Sequence, residues 1–328
     1  MRLWKIYHPD IPTFLQEAAK TRAMIRLQDI GMNCGCEYTG FPLFAGLAPY
    51  SRFDHSMGVG LIVWHFTGSQ EQALAGLLHD IATPAFAHVV DFLHGDHMTQ
   101  EHTEQGTAAR IRNAPDLQQL LEQYAISPEA VDDYHRYPIA DNDAPQLSAD
   151  RLEYTLGNAI NYGILDQTQV KVCYEDLAVG ANEAGQPELM FRTLQTAEVF
   201  ANAALECSKI YVSDSDRYAM QSLADLLKQA IALGVLTEDD LYLQEQGIID
   251  RLNRSFLQQQ WHQFRSFREV IRRNTPDSTG NWMRIFAKKR TIDPYVQDLG
   301  RISHLCPAFS QDLQAFRAES QDIWLCAK

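Results

Sequence analysis

Four side chains in this 328-residue chain have the types and spacing of a metal cage. His55 stands in Ser51-Arg52-Phe53-Asp54-His55-Ser56-Met57-Gly58-Val59-Gly60. His79 and Asp80 are adjacent at the end of Ala75-Gly76-Leu77-Leu78. Asp150 opens Asp150-Arg151-Leu152-Glu153-Tyr154. An adjacent His-Asp pair at a helix end offers one imidazole nitrogen and one carboxylate oxygen to the same ion. One more ligand from the preceding helix and another from a distant helix close a site in a bundle core. Two imidazoles and two carboxylates suit one divalent transition metal (Fe, Mn, Zn, Co or Ni) better than calcium. Beside four protein ligands, an octahedral ion keeps positions for water and a phosphoryl oxygen. Taken singly, a His-Asp dipeptide on a helix is usually an ordinary packed or solvated pair. The expectation of chemistry rests on all four residues together.

Helices must position these groups. Apolar spacing predicts a helix over 13–30, with Thr13 and Gln16 fitting a capping box. Residues 31–53, rich in Gly, Pro and aromatics, read as a long ordered loop or short hairpin. Helices are expected over about 55–66, 71–81, 84–93, 101–113 and 148–162, the last with Ser148 as N-cap. Two short helices over 116–124 and 128–134 precede a polar loop over 138–146. Alternation in 169–174 and a strand over 188–192 suggest a hairpin across 180–186. One or two long helices over 194–232 follow, with shorter ones over 237–246 and 248–256. A strand over 286–295 and a helix near 310–316 complete the prediction. The expected architecture is mostly α, a helical bundle with a small α+β C-terminal portion. Residues 1–165 would form the helical core with the metal site. Residues 166–328 would pack on it as a mainly helical extension, within one continuous unit.

Composition narrows the partners. Lys plus Arg is 28 and Asp plus Glu 42, a formal charge of −14. Such a field repels a phosphate backbone, so an extended nucleic-acid partner is not expected. A small anionic substrate needs only a local cluster of cations or a metal. No apolar run approaches the roughly 18–20 residues that span a bilayer, and the N-terminus has no signal-like apolar stretch, so no membrane partner and a cytoplasmic location are expected. The six cysteines form no zinc-type pair or disulfide framework, and Cys34-Gly35-Cys36 reads as a reduced turn at a core edge. Trp261, Phe264 and Phe267 are spaced for packing. Lys288-Lys289-Arg290 is the densest basic run, read as a solvated face or, more sharply, as an anion or subunit contact.

The order H…HD…D resembles the signature of HD-domain metal-dependent phosphohydrolases. Ser-Arg-Phe-Asp-His-Ser-Met-Gly-Val-Gly at 51–60 and Gly-Leu-Leu-His-Asp-Ile-Ala-Thr-Pro-Ala-Phe-Ala-His at 76–88 look like motifs of the dNTP triphosphohydrolase (dGTPase-like) branch. So do Glu104-Gln105-Gly106-Thr107 and Asp150-Arg151-Leu152-Glu153-Tyr154. Lys288-Lys289-Arg290-Thr291-Ile292-Asp293-Pro294 is similar to a basic C-terminal motif of related proteins.

The resemblance implies an HD-domain bundle whose His55, His79, Asp80 and Asp150 bind one divalent ion. It implies that Arg52 reaches a phosphate oxygen and Tyr154 lines a sugar pocket. His88 and Asp91 would sit beside the attacked phosphorus, with His88 or His102 as acid or base held by Asp91. His88 or His102 could instead hold a second metal. Four positions depart from the branch. Thr83 stands where it has a histidine, and Thr103 fills the slot of a catalytic histidine, with His102 one residue earlier. Asp29 replaces a sugar-contacting glutamine, and Asn158 a base-side aspartate. The expected activity is hydrolysis of a nucleotide or other phosphate ester by a homodimer or higher oligomer. The alternatives are a catalytically weak nucleotide-binding or regulatory protein and a di-iron oxygenase.

Overall fold

A computed structural model of the chain describes residues 2–95, 98 and 106–328. Its centre is the His55 helix, Arg52–Thr67, buried on every side from Arg52 to Val63. Ser51 starts it by accepting a hydrogen bond from the Asp54 amide. The next helix, Gln70–Leu78, is capped in the same way by Ser69 and packs along the first. The Asp150 helix, Ala149–Asn161, starts at Ser148, whose hydroxyl accepts from the Arg151 amide. It lies between the His55 helix and the long Leu194–Tyr211 helix, which Asp214–Ala232 follows. One apolar cluster runs from Leu3 to Leu325 and unites these elements. The fold is mostly α, a helical bundle with small sheets in its C-terminal part. Among the described residues, no helix is long and apolar enough to cross a membrane.

Among the described residues the small sheets use seven strands: β1 Leu177–Ala181, β2 Pro187–Phe191, β3 Val270–Arg273, β4 Met283–Arg284, β5 Tyr295–Val296, β6 Gly300–Arg301 and β7 Trp324–Ala327. One sheet has the order β1-β2-β5-β6 and the other β3-β7-β4. β1 and β2 form an antiparallel hairpin that pairs Leu177 with Phe191 and Val179 with Leu189.

Several local expectations are corrected. Residues 169–174 are helical, inside Gln167–Glu175, so β2 pairs with β1 instead. A reciprocal Asp166–Gln169 capping box starts this helix. It buries Val170, Cys173 and Tyr174, a helical spacing that wins over the short alternation. The 13–30 segment is broken into Thr13–Ala18, Arg22–Arg26 and a 3₁₀ turn, Leu27–Asp29. Thr13 makes no cap, because Gln16 donates instead to the Ile11 carbonyl at 2.6 Å. The 84–93 helix begins only at Val89, since Phe86 and Ala87 have φ of 60° and 45°. Helical backbone cannot adopt those angles. The Ala85 amide is held by the Leu241 carbonyl at 2.7 Å and the Phe86 amide by Glu245 at 3.3 Å. The 71–81 helix ends at Leu78, and 286–295 is extended without a ladder until β5. Residues 237–246 are largely a 3₁₀ turn, Glu238–Tyr242, and the helix after it is Glu245–Asn253.

Candidate metal centre

His55 comes from the first turn of its helix, and His79 and Asp80 from the residues just past Leu78. Asp150 comes from the first turn of the third helix. Ligand atoms of His55, His79 and Asp80 all lie within 4.8 Å of one another, and Asp150 stands against the two imidazoles. His55 Nε2 and His79 Nε2 are 3.3 Å apart. Asp150 Oδ1 lies 3.0 Å from the former and 3.6 Å from the latter. Asp80 Oδ2 lies 3.9 Å from His55 Nε2 and 3.6 Å from His79 Nε2. Ligands of one ion at 2.0–2.2 Å are separated by about 2.8–3.6 Å for angles between square and tetrahedral. The observed spacings are close to that.

The far side of each imidazole fixes its tautomer. His79 Nδ1 lies 2.7 Å from the Gly76 carbonyl, which can only accept, so Nδ1 carries the proton. His55 Nδ1 faces Glu153 Oε2 at 2.6 Å. Each Nε2 therefore faces the cage, close to the other and beside two carboxylates. A positive charge relieves that arrangement, and this donor set fits a divalent transition metal. The electrostatics agree. Burial opposes a charge on His55, yet hydrogen bonds to Asp150 and Glu153 push it up to about 10. Burial likewise opposes ionisation of Asp80 and Asp150. Arg52 and the two imidazoles hold Asp80 well below the usual carboxylate range, and a hydrogen bond to His55 does so for Asp150.

Glu153 is the hub behind His55. Tyr7 and Tyr50 donate their hydroxyls to its two oxygens, Tyr7 at 3.4 Å. Two glycines make room for it: a Cβ on Gly58 would lie 2.5 Å from Glu153 Cγ, and one on Gly157 would lie 2.4 Å from the Tyr50 hydroxyl. Thr83 clasps the other side of the cage, donating to Asp80 Oδ1 at 2.6 Å. Arg26 pins that loop through the Ile81 and Thr83 carbonyls, at 2.9 and 2.7 Å. Glu153 neighbours Asp150 in sequence but serves His55 in the fold, a role that sequence reasoning missed together with those of Tyr7, Tyr50 and Arg26, which lie far away in the chain. Arg151 braces the entry of the Asp150 helix, with Nη1 at 2.7 Å from Asn142 Oδ1 and 3.0 Å from Asp141 Oδ1.

A cavity of about 140 Å³ opens on the cage. Arg52, His88, Tyr154 and Asn158 line it, together with Lys288 and Arg290 from the C-terminal half. Arg52 Nη1 lies 3.1 Å from Asp80 Oδ2, and its buried Nε has no partner among the described residues. His88 Nδ1 lies 2.8 Å from Asp91 Oδ2, and Asp91 is fully buried. Burial, with the charges of Arg290 and Arg52, lowers the His88 pKa against the pull of Asp91, leaving a neutral ring at neutral pH. Asp216 and the aromatic rings of Phe92, Tyr162 and Tyr211 form the remote wall.

Other singled-out residues fall elsewhere. His102, with His97, Thr103, Glu104 and Gln105, lies outside the described residues. Asp29 does not line this cavity; its carboxylate accepts from Gln244. Asp54 accepts from Arg2 at 2.9 Å. Cys34 and Cys36 are free and buried. Trp261 and Phe264 stack at 5.5 Å, as packing predicts. Of the basic run, Lys289 turns away and donates to the Phe316 and Arg317 carbonyls at 2.6 and 3.1 Å.

No family model matches the chain. The chain is 25% identical over 316 residues to a metal-dependent phosphohydrolase, cns2, of Cordyceps militaris, covering 92% of this chain and 87% of that protein. It is 27% identical over 207 residues to the uncharacterized protein YdhJ of Bacillus subtilis. That match covers 62% of each, less than two thirds of YdhJ. Two solved structures share the fold at a TM-score of 0.65. One is a hypothetical protein from Aquifex aeolicus, 16% identical, with 97% of this chain and 92% of that one covered. The other is a phosphohydrolase from Bacteroides thetaiotaomicron, 15% identical, with 97% and 96% covered. Two of these four proteins are named phosphohydrolases.

Proposed function

We propose that this chain is a metal-dependent phosphohydrolase that cleaves a nucleotide or other phosphate ester at one divalent transition metal held by His55, His79, Asp80 and Asp150. The observation that carries this reading is the 3.3 Å approach of the two Nε2 atoms while the Nδ1 of each ring faces an acceptor on its far side. When bound, the ion supplies Lewis acidity toward a phosphoryl oxygen and a water. The protein groups do the rest. Arg52 steadies negative charge on the phosphoryl oxygens. Asp91 holds the His88 ring by its Nδ1–H, so His88 Nε2 can take a proton or return one to the leaving group. Tyr154 lines the side of the cavity where a sugar would lie. The cage belongs to residues 1–165, and residues 166–328 add Tyr211, Asp216, Met220, Ala287, Lys288 and Arg290 to the cavity lining.

The dNTP triphosphohydrolase-like branch is the nearest by motif. A second reading, a weakly catalytic nucleotide-binding or regulatory protein, is favoured by Thr83, which clasps Asp80 where that branch has a histidine. Elemental analysis of wild type and His79→Ala, followed by a screen of phosphate esters and nucleotides, tests both. About one transition metal per chain, lost in the variant, together with phosphate release is the expected result. Metal and nucleotide binding without product would favour the second reading. No metal after reconstitution would overturn the metal-dependent reading.

A further inference from the structure

We propose that Asn158 and Asp216 are specificity-determining residues that recognise the amino group of a nitrogen heterocycle, so that the substrate is a nucleoside phosphate with an amino-bearing base. This rests on the reading of the cage as a phosphohydrolase centre, and it concerns the part of the substrate that the metal does not touch.

One face of one helix sets the length of the cavity. Asp150, Tyr154 and Asn158 stand four residues apart on Ala149–Asn161, with Tyr162 at its C-terminal end, and all four line the cavity. Residues at that spacing share a helix face, one turn after another. At about 1.5 Å per residue, Tyr154 lies roughly 6 Å and Asn158 roughly 12 Å along the axis from Asp150. That span suits a phosphoryl group at the cage and the base of the same nucleotide beside Asn158. Tyr154 and Tyr211 meet edge to face, ring centroids 6.4 Å apart, and give the wall an aromatic surface.

Two buried acceptors on this lining lack a strong donor. Asn158 is 5% exposed. Its Nδ2 donates to the Tyr211 hydroxyl at 2.7 Å, whereas its Oδ1 is buried with no hydrogen-bond partner among the described residues. The Tyr162 hydroxyl, one turn on, is committed to Asn33 Oδ1 at 3.2 Å. Asp216, in the first turn of Asp214–Ala232, is buried and lines the same cavity. Its Oδ2 accepts from the Cys36 thiol at 3.8 Å, a weak donor. Among the described residues, no amide, hydroxyl or salt-bridging cation reaches its carboxyl. A buried acceptor without a donor is costly, and a ligand N–H relieves that cost. An amino-bearing heterocycle brings such donors in the plane of a ring, and its faces suit aromatic walls. Burial pushes Asp216 up to about 8, so at neutral pH its carboxyl also holds a proton to give to a ring nitrogen beside the amine. Neither residue is a motif residue of the resembled branch. Asn158 stands where that branch has an aspartate, and Asp216 belongs to the half of the chain beyond its metal motifs.

The test uses metal-loaded full-length protein and matched ligands that differ only by the amine. The pairs are adenosine and purine riboside, guanosine and inosine, and cytidine and 2-pyrimidinone riboside, each as the 5′-monophosphate. Calorimetry reads affinity, and phosphate release reads kcat/KM. Wild type is expected to favour the amino member of at least one pair by about ten-fold or more. Asn158→Leu and Asp216→Leu should each cut that ratio at least about three-fold, by weakening the amino ligand alone. Asn158→Asp and Asp216→Asn keep an acceptor and should retain most of the preference. A merely structural role would weaken both members of the pair alike, and an unchanged ratio in both Leu variants refutes the proposal. Wild-type affinities within two-fold in every pair, or no binding of any of these ligands, refute it with no variant at all, so failure of the Leu variants to fold does not shelter it. Amine preference in binding without cleavage of any ester would sink the phosphohydrolase reading and leave the recognition standing. Cleavage of both members of every pair at equal kcat/KM would do the reverse.

Discussion

Replacing Glu153 with glutamine keeps the shape of the hub and removes its charge. In the wild type, Glu153 Oε2 lies 2.6 Å from His55 Nδ1, with the carboxylate almost wholly buried. That contact fixes the proton on Nδ1 and raises the basicity of Nε2 toward the metal. Tyr7 and Tyr50 keep the carboxylate from rotating away. A glutamine amide can turn its NH₂ toward His55, which would drive the imidazole proton to Nε2 and into the cage. Loss of such a partner behind a metal-bound histidine costs about 10- to 100-fold in metal affinity, roughly 1.4–2.7 kcal/mol. Competition with a chromophoric chelator measures this directly. Melting of the metal-free protein separates it from a folding defect. Tyr50→Phe leaves the carboxylate in place and loses one donor to it, so its effect should be smaller, on the order of 1 kcal/mol. If Glu153→Gln folds and binds metal within two-fold of wild type, the assignment of His55 as a ligand oriented from behind is wrong.

Three other outcomes follow from the same geometry. Thr83→Val removes the 2.6 Å donor to Asp80 and should weaken metal binding about ten-fold, whereas Thr83→Ser should restore it; equal affinities in both variants would exclude the clasp. His88 is neutral at neutral pH because burial lowers its pKa, so kcat/KM should be flat through pH 7 and fall only below about 6.5. Asp91→Asn should cut kcat roughly 100-fold with metal retained, and an acidic limb above pH 7 in wild type would count against His88 as the proton carrier. Burial pushes Asp216 up to about 8, so the folded chain keeps a proton that the unfolded chain releases above about 4. Stability from this group therefore declines as pH rises from about 4 to about 8, and the melting-temperature gain of Asp216→Asn should grow over that window. A gain that does not change with pH would show that Asp216 is already ionised.

The cage was legible because its residues are local signals. His79 and Asp80 are neighbours at a helix end, and His55 and Asp150 each sit in the first turn of a helix that a serine starts. What surrounds the cage was less legible, because it is assembled by contacts far apart in the chain. Nothing near Glu153 in sequence announces Tyr7 or Tyr50. Pro84 reads as a helix start, but Glu245 and the Leu241 carbonyl hold the following backbone in left-handed turns. Residues 169–174 alternate over so short a stretch that the pattern also satisfies helical spacing, and the Asp166–Gln169 box decides for helix. The basic run shows its charge in sequence, but only the extended backbone tells which members face inward.

The single apolar cluster has a consequence for the order in which the site is made. A ribosome releases the chain from its N-terminus, at about 5–20 residues per second. His55, His79, Asp80 and Asp150 have all emerged once the Ala149–Asn161 helix is out, while the helices Leu194–Tyr211 and Asp214–Ala232 that share its core are still unmade. The four side chains are thus written early and set late, since the core that fixes them closes only when the second half of the chain arrives.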